Sequence, residues 1–282
     1  MKSSIKKISP NKIKGWVKLT PTLVDHGNTR PLKYKIVRPI KETSRAVFYL
    51  HGLIGNLDEC QEYDALFSQE LNFNFIRIEH PLLSIEDPLQ AAALFAGFTP
   101  ATFFDVINNT SKLIDQISKN EKFDSVGIIG VSYGGFSAIV NAIRGSFAKK
   151  VMLISSTPDI AFAMENIHEL YPGLQKKIAK LVARNFRVEG RNIRQGKGLY
   201  KPSWDKINPW VEPKNKNVEI KCIGNNNDPV MPGSSLTNYK AFMSKNYNFK
   251  NIDNKLIDGP PEHGELKGIN MMKEFKVFFK NL

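Results

Sequence analysis

Residues 125–139 read SVGIIGVSYGGFSAI, and no other stretch so narrows what the chain can fold into. An apolar run over 126–131 stops on Ser132, with Gly130, Gly134 and Gly135 crowded around the hydroxyl. A short continuous apolar run is how a strand buried on both faces reads, and GGFSAIVNAI after it has helical spacing. A strand that passes directly into a helix implies a parallel sheet covered by helices. So tight a junction forces the serine into a strained backbone conformation. Side chains two residues to either side would collide with the turn, which is why glycines stand there. The Ser132 hydroxyl then clears the sheet at a helix start, where the Tyr133 N–H and the helix dipole both favour negative charge.

The rest of the chain repeats the alternation. Apolar or alternating segments at 33–38, 46–50, 74–79, 150–155, 218–223 and 254–257 read as strands. Amphipathic segments at 59–70, 103–118, 135–144, 234–243 and 266–279 read as helices. The fold class is α/β, a mostly parallel central sheet with helices on both faces. The alternation lapses once, over 158–212. The chain therefore divides into an N-terminal core segment (1–157), an insert (158–212) and a C-terminal core segment (213–282), one domain overall. Within the insert, Leu174, Ile178, Leu181 and Val182 share one helical face, with Lys176, Lys177, Lys180 and Arg184 mostly elsewhere. The segment 81–100 is longer than a plain connection needs; its LQAAALFAGF reads as a short apolar helix that walls a pocket or packs into the core.

Composition bounds the remaining classes. The 282 residues carry a net charge of +13, two cysteines and no apolar run of membrane-spanning length. The basic start, MKSSIKKISPNKIKGWVK, has no apolar region behind it, so a cytoplasmic protein is expected. Cys60 and Cys222 lack metal-ligand spacing, and neither a metal nor a cofactor is expected. The charge reads either as a solvated lysine coat or as attraction to something anionic. No zinc-finger, helix-turn-helix or RNA-recognition pattern accompanies it, which argues against nucleic acid.

A serine hydroxyl needs a base to become a nucleophile. Of five histidines, His26 lies near the N-terminus and His168 in the insert; His51 and His80 directly follow strands. His263 lies in a Gly/Pro-rich loop, IDGPPEHGEL, after the last strand. An imidazole that takes the proton is oriented by a carboxylate. Asp228 follows the strand at 218–223 in GNNNDPVMP, where Asn-Asp-Pro is also ordinary turn chemistry. Asp159 is the second choice, and Asp258 sits too close to His263 along the chain.

Together YLHGLIGN, GVSYGG, GNNNDPVMP and PPEHGE resemble the α/β-hydrolase family, over nearly the whole chain from about residue 32 apart from the insert. The resemblance implies Ser132 as nucleophile, Asp228 as orienting acid and His263 as general base. It also implies an oxyanion hole from the backbone N–H groups of Leu53 and Tyr133, a structural role for His51, and a short helical lid at the insert. A lipase-type HGGG is absent, and serine at 132 in place of aspartate disfavours dehalogenase and epoxide-hydrolase chemistry. The expected activity is cleavage of a carboxylic ester or thioester through an acyl-enzyme. Alternatives are acyl transfer, thioester cleavage on an anionic acyl carrier, or an inactive binding protein of the same fold. Pocket candidates are Ile54, Phe162, Met164 and Met231, beside Leu53 and Tyr133. If Lys176, Lys177, Lys180, Arg184, Arg187, Arg191 and Arg194 face the entrance, the partner is an anionic carrier or a membrane surface.

Overall fold

The computed structural model describes residues 12–17, 32–52, 57–58, 60–79, 99–171 and 173–282. Eight strands form one sheet: β1 (Lys12–Val17), β2 (Leu32–Val37), β3 (Arg45–Leu50), β4 (Asn74–Glu79), β5 (Ser125–Val131), β6 (Ala148–Ile154), β7 (Glu219–Asn225) and β8 (Ile252–Ile257). Their order is β1-β2-β4-β3-β5-β6-β7-β8. β1 and β2 are antiparallel to their neighbours, and β3 through β8 run parallel. All the parallel strands therefore end on one edge of the sheet, where the loops that follow them meet.

The helices are α1 (Tyr63–Ala65, continued by a π-turn, Leu66–Glu70), α2 (Pro100–Asn120), α3 (Gly134–Arg144), α4 (Ile160–Asn166), α5 (Gly173–Val182), α6 (Arg184–Arg194), α7 (Lys201–Ile207), α8 (Gly233–Tyr247) and α9 (Met271–Phe279). One sheet face packs on α2, α3 and α8 through Leu113, Ile114, Ile139, Ile143, Leu236 and Met243. The other packs on α1 and α9 through Phe67, Phe275 and Phe279, with the Phe67 and Phe75 rings stacked at 4.7 Å. Burial on both faces explains why β3 to β6 read as near-continuous apolar runs.

The structure adds β1, where Gly15 and alternating lysines mask the strand pattern. It starts α9 at Met271 rather than 266: Gly268 has φ +83° and breaks the helix, and Asn270 caps it by accepting from the Lys273 N–H. The insert is α4 to α7 with a 3₁₀ turn, Ile167–Leu170, and packs onto α2 and α3 in one apolar cluster. Its expected apolar face is split: Val182 is half-buried against that cluster, and two of its other members point outward. Ile178 and Leu181 stand exposed while Ala179, Ala183, Phe186 and Ile193 point inward. Small alanines one turn apart let the helix lie close, which a leucine at either position would prevent. Among the described residues no helix is long and apolar enough to cross a membrane.

Candidate active site

Ser132 leaves β5 with φ +50°, in the left-handed region, at a cost of roughly 1–2 kcal/mol for a residue with a Cβ. The flanking structure holds it there. The Ser132 N–H donates to the Ile154 carbonyl at 2.8 Å, and α3 begins two residues later. A Cβ at Gly130 would lie 2.5 Å from the Gly135 Cα and 2.7 Å from the Ala138 Cβ. At Gly134 it would meet the Leu50 and His51 carbonyls, and at Gly135 the Ser156 side chain. Each glycine thus makes room for a different neighbour: the helix's own turn, β3, and the segment after β6.

The Ser132 Oγ lies 2.7 Å from His263 Nε2, and His263 Nδ1 lies 2.7 Å from Asp228 Oδ2. The three come from the loops after β5, β8 and β7, on the edge where the parallel strands end. Asp228 is buried, and its other oxygen, Oδ1, accepts the Val230 and Met231 N–H groups at 2.9 and 2.8 Å. Burial pushes the Asp228 carboxyl up. The His263 hydrogen bond, the charge that imidazole carries when protonated, and the two backbone donors outweigh that and hold it below the ordinary aspartate value. Asp228 is therefore a carboxylate at neutral pH, which fixes the proton on His263 Nδ1 and leaves Nε2 to accept from the serine.

The acid and histidine loops are tied together by asparagines that in sequence read only as turn formers. Asn225 Nδ2 donates to the Pro260 carbonyl at 2.7 Å, while its Oδ1 accepts the Gly259 and Asn227 N–H groups, both at 3.0 Å. Asn227 Nδ2 donates to the Gly259 carbonyl at 2.8 Å, and Asn226 Nδ2 to Asp258 at 2.7 Å. Three consecutive asparagines before an acid were the available signal.

The remaining candidates separate cleanly. Asp159 caps α4, accepting the Phe162 N–H at 3.0 Å, and takes no part in the Ser–His–Asp line. His168 is buried in the insert and pairs with Glu169 at 3.2 Å. His51 is buried and donates from Nδ1 to the Gly52 carbonyl at 2.6 Å; burial lowers its pKa below 6.5. A Cβ at Gly52 would stand 3.5 Å from the Ser132 Cβ, so the chain after β3 runs directly beside the serine. Leu53, Ile54, His26, His80 and the 89–98 stretch lie outside the described residues.

A small apolar hollow, with a cavity volume of about 20 Å³, adjoins Ser132 and opens to solvent. Its lining includes Phe103 and Tyr133, Met164, Ile167 and Leu170 of the insert, and Val230 and Met231. Met164 and Met231 both line this hollow. Phe162, two residues before Met164, lies on another side of α4, with the Arg194 guanidinium 5.5 Å from its ring. Among the described residues no three His, Cys, Asp or Glu side chains converge to hold a metal ion.

No family model matches the chain, and no curated protein does either. Solved structures do. An esterase from Pyrococcus furiosus, Pf2001, is 13% identical with a TM-score of 0.56, over 95% of this chain and 93% of that one. A carboxyl esterase from Bacillus coagulans is 11% identical at 0.55, over 94% and 99%. An acylaminoacyl peptidase from Pyrococcus horikoshii is 13% identical at 0.59, over 98% of this chain but only 42% of that one. This chain likewise spans 36% of a Bacteroides ovatus protein named for dipeptidyl aminopeptidase IV. The likeness is one of fold, the α/β-hydrolase fold that the motifs implied.

Proposed function

We propose that this protein, whose fold is that of the α/β-hydrolases, is a serine hydrolase that cleaves a carboxylic ester or thioester through an acyl-enzyme on Ser132. The observation that carries the reading is the unbroken line from Ser132 Oγ through His263 to Asp228, with 2.7 Å at both steps. The Ser132 oxygen attacks the acyl carbonyl as His263 Nε2 takes its proton. The tetrahedral oxyanion is held by the Tyr133 N–H and, on the sequence resemblance, the Leu53 N–H. His263 then returns the proton to the leaving alcohol or thiol. Water, giving its proton to the same nitrogen, releases the acid and restores Ser132. Each oxyanion donor contributes about 2.7–4 kcal/mol to the transition state, and a placed base roughly 10²- to 10⁴-fold.

The apolar hollow is read as the acyl site and the insert as its lid, since Met164, Ile167 and Leu170 reach the space next to Ser132. The test is a series of p-nitrophenyl esters and acyl-CoA thioesters of increasing chain length, run beside Ser132→Ala. Turnover that falls by on the order of 10⁴-fold in the variant supports the reading. Near-normal turnover by folded Ser132→Ala protein overturns it.

A further inference from the structure

Among the described residues six large apolar side chains stand exposed, and four of them lie in the insert: Ile178 (39%), Leu181 (76%), Val188 (51%) and Leu199 (81%). The same stretch is the most basic in the chain. Residues 176–201 hold nine Lys or Arg and a single carboxylate, Glu189, which is buried and accepts the Tyr200 N–H at 2.9 Å. Glu165 pairs with Arg191 and Arg194, and Glu169 with Lys176. Lys177, Lys180, Arg184 and Lys197 have no carboxylate partner among the described residues.

The two properties are arranged side by side. α5 runs into α6 through a kink at Ala183 that keeps its helical bonds: Ala183 N–H to Ala179 carbonyl at 2.8 Å, Arg187 N–H to Ala183 carbonyl at 3.0 Å. Ala179, Ala183, Phe186 and Ile193 face inward. Ile178, Leu181 and Val188, spaced by three and seven, fall on one outer line, with Lys177, Lys180 and Arg184 alongside. A solvated coat explains the cations but not the leucines between them. A nucleic acid would use the cations and gain little from the leucines. An interface of lipid headgroups over acyl chains uses both.

We infer that the outer face of α5 and α6, with Leu199, docks on an anionic lipid bilayer. α6 packs on α4, whose Ala163 and Met164 line the hollow beside Ser132, so docking there brings the acyl site next to the membrane. That purpose rests on the proposed hydrolase activity; the binding itself does not.

The test is flotation of the full chain with vesicles of phosphatidylcholine, alone or mixed with phosphatidylglycerol, at low and high salt. Leu181→Ser/Val188→Ser and Lys180→Glu/Arg184→Glu are compared with the parent, all at exposed positions, and hydrolysis of a soluble p-nitrophenyl ester is followed alongside. The inference predicts binding to the mixed vesicles only, weakened by salt and by roughly tenfold or more in each double variant. Absence of binding, or binding that neither variant changes, overturns it. Loss in the charge variant with none in the apolar one also overturns it, pointing to a purely ionic partner. Ester hydrolysis that persists in all three proteins keeps a failed docking inference distinct from a failed assignment of Ser132.

Discussion

Ser132 occupies a left-handed conformation that costs energy and presents its hydroxyl to His263 at 2.7 Å. Three glycines make that conformation compatible with a packed core, and each has a different neighbour. Gly130→Ala would drive a methyl to 2.7 Å from the Ala138 Cβ and force the helix off the strand. Chemical denaturation should show a loss of about 1–3 kcal/mol, with activity lost alongside because the serine moves. Asp228→Asn is expected to act differently. It keeps the shape but lets the side chain offer an N–H to His263, so the wrong histidine tautomer is held. A fall in kcat of about 10⁴-fold with little change in the denaturation midpoint would bear this out. The serine and its glycines were legible in sequence because sterics at a strand–helix junction leave few choices. The neighbour that each glycine accommodates was not, since β3 and the Ser156 segment come from distant stretches of the chain.

The loops after β7 and β8 carry Asp228 and His263, and neither loop has regular structure of its own. Their relative position rests on Asn225 and Asn227, which satisfy backbone groups at Gly259 and Pro260. Asn225→Ala removes two of these bonds, and a third within its own loop to the Asn227 N–H, and should let the histidine loop drift. A displacement of about 1 Å in a catalytic group costs on the order of 10²-fold, so kcat should fall by roughly that factor with KM little changed. A rise in KM alone would place Asn225 outside the positioning of His263. The strands were readable from their apolar runs, as β3 to β6 are buried on both faces. The insert was readable as an interruption but not in its orientation. Periodicity groups Ile178, Leu181 and Val182 on one face; Val182 does pack inward, but close packing turns Ala179 and Ala183 in beside it and leaves Ile178 and Leu181 exposed.

A parallel sheet gathers its carboxyl-terminal loops on one edge, and the hydroxyl, imidazole and carboxylate meet there because of that topology. The same architecture buries His51 beneath the edge, and burial lowers its pKa below 6.5. The unfolded chain therefore binds a proton near pH 6.5 that the folded chain does not. This contribution to stability is present above that pH and lost as the pH falls, by at most about 1.4 kcal/mol per pH unit. Asp228 titrates in a lower window. Its lowered pKa gives a contribution in place above 3.8 and lost only as the pH falls through its folded value. Thermal melts should thus be level from about pH 8 to 7 and decline from about 6.5 toward 5; a midpoint that rises as the pH falls over that range would contradict the burial of a neutral His51.

The proposed chemistry stands or falls on Ser132 being a live nucleophile driven by His263 and Asp228, and covalent labelling with a fluorophosphonate probes this without knowledge of the substrate. A single adduct is expected, located by peptide mass spectrometry at Ser132, abolished in Ser132→Ala and slowed strongly in His263→Ala. A folded protein that takes no label, or takes it at another residue, would refute the assignment.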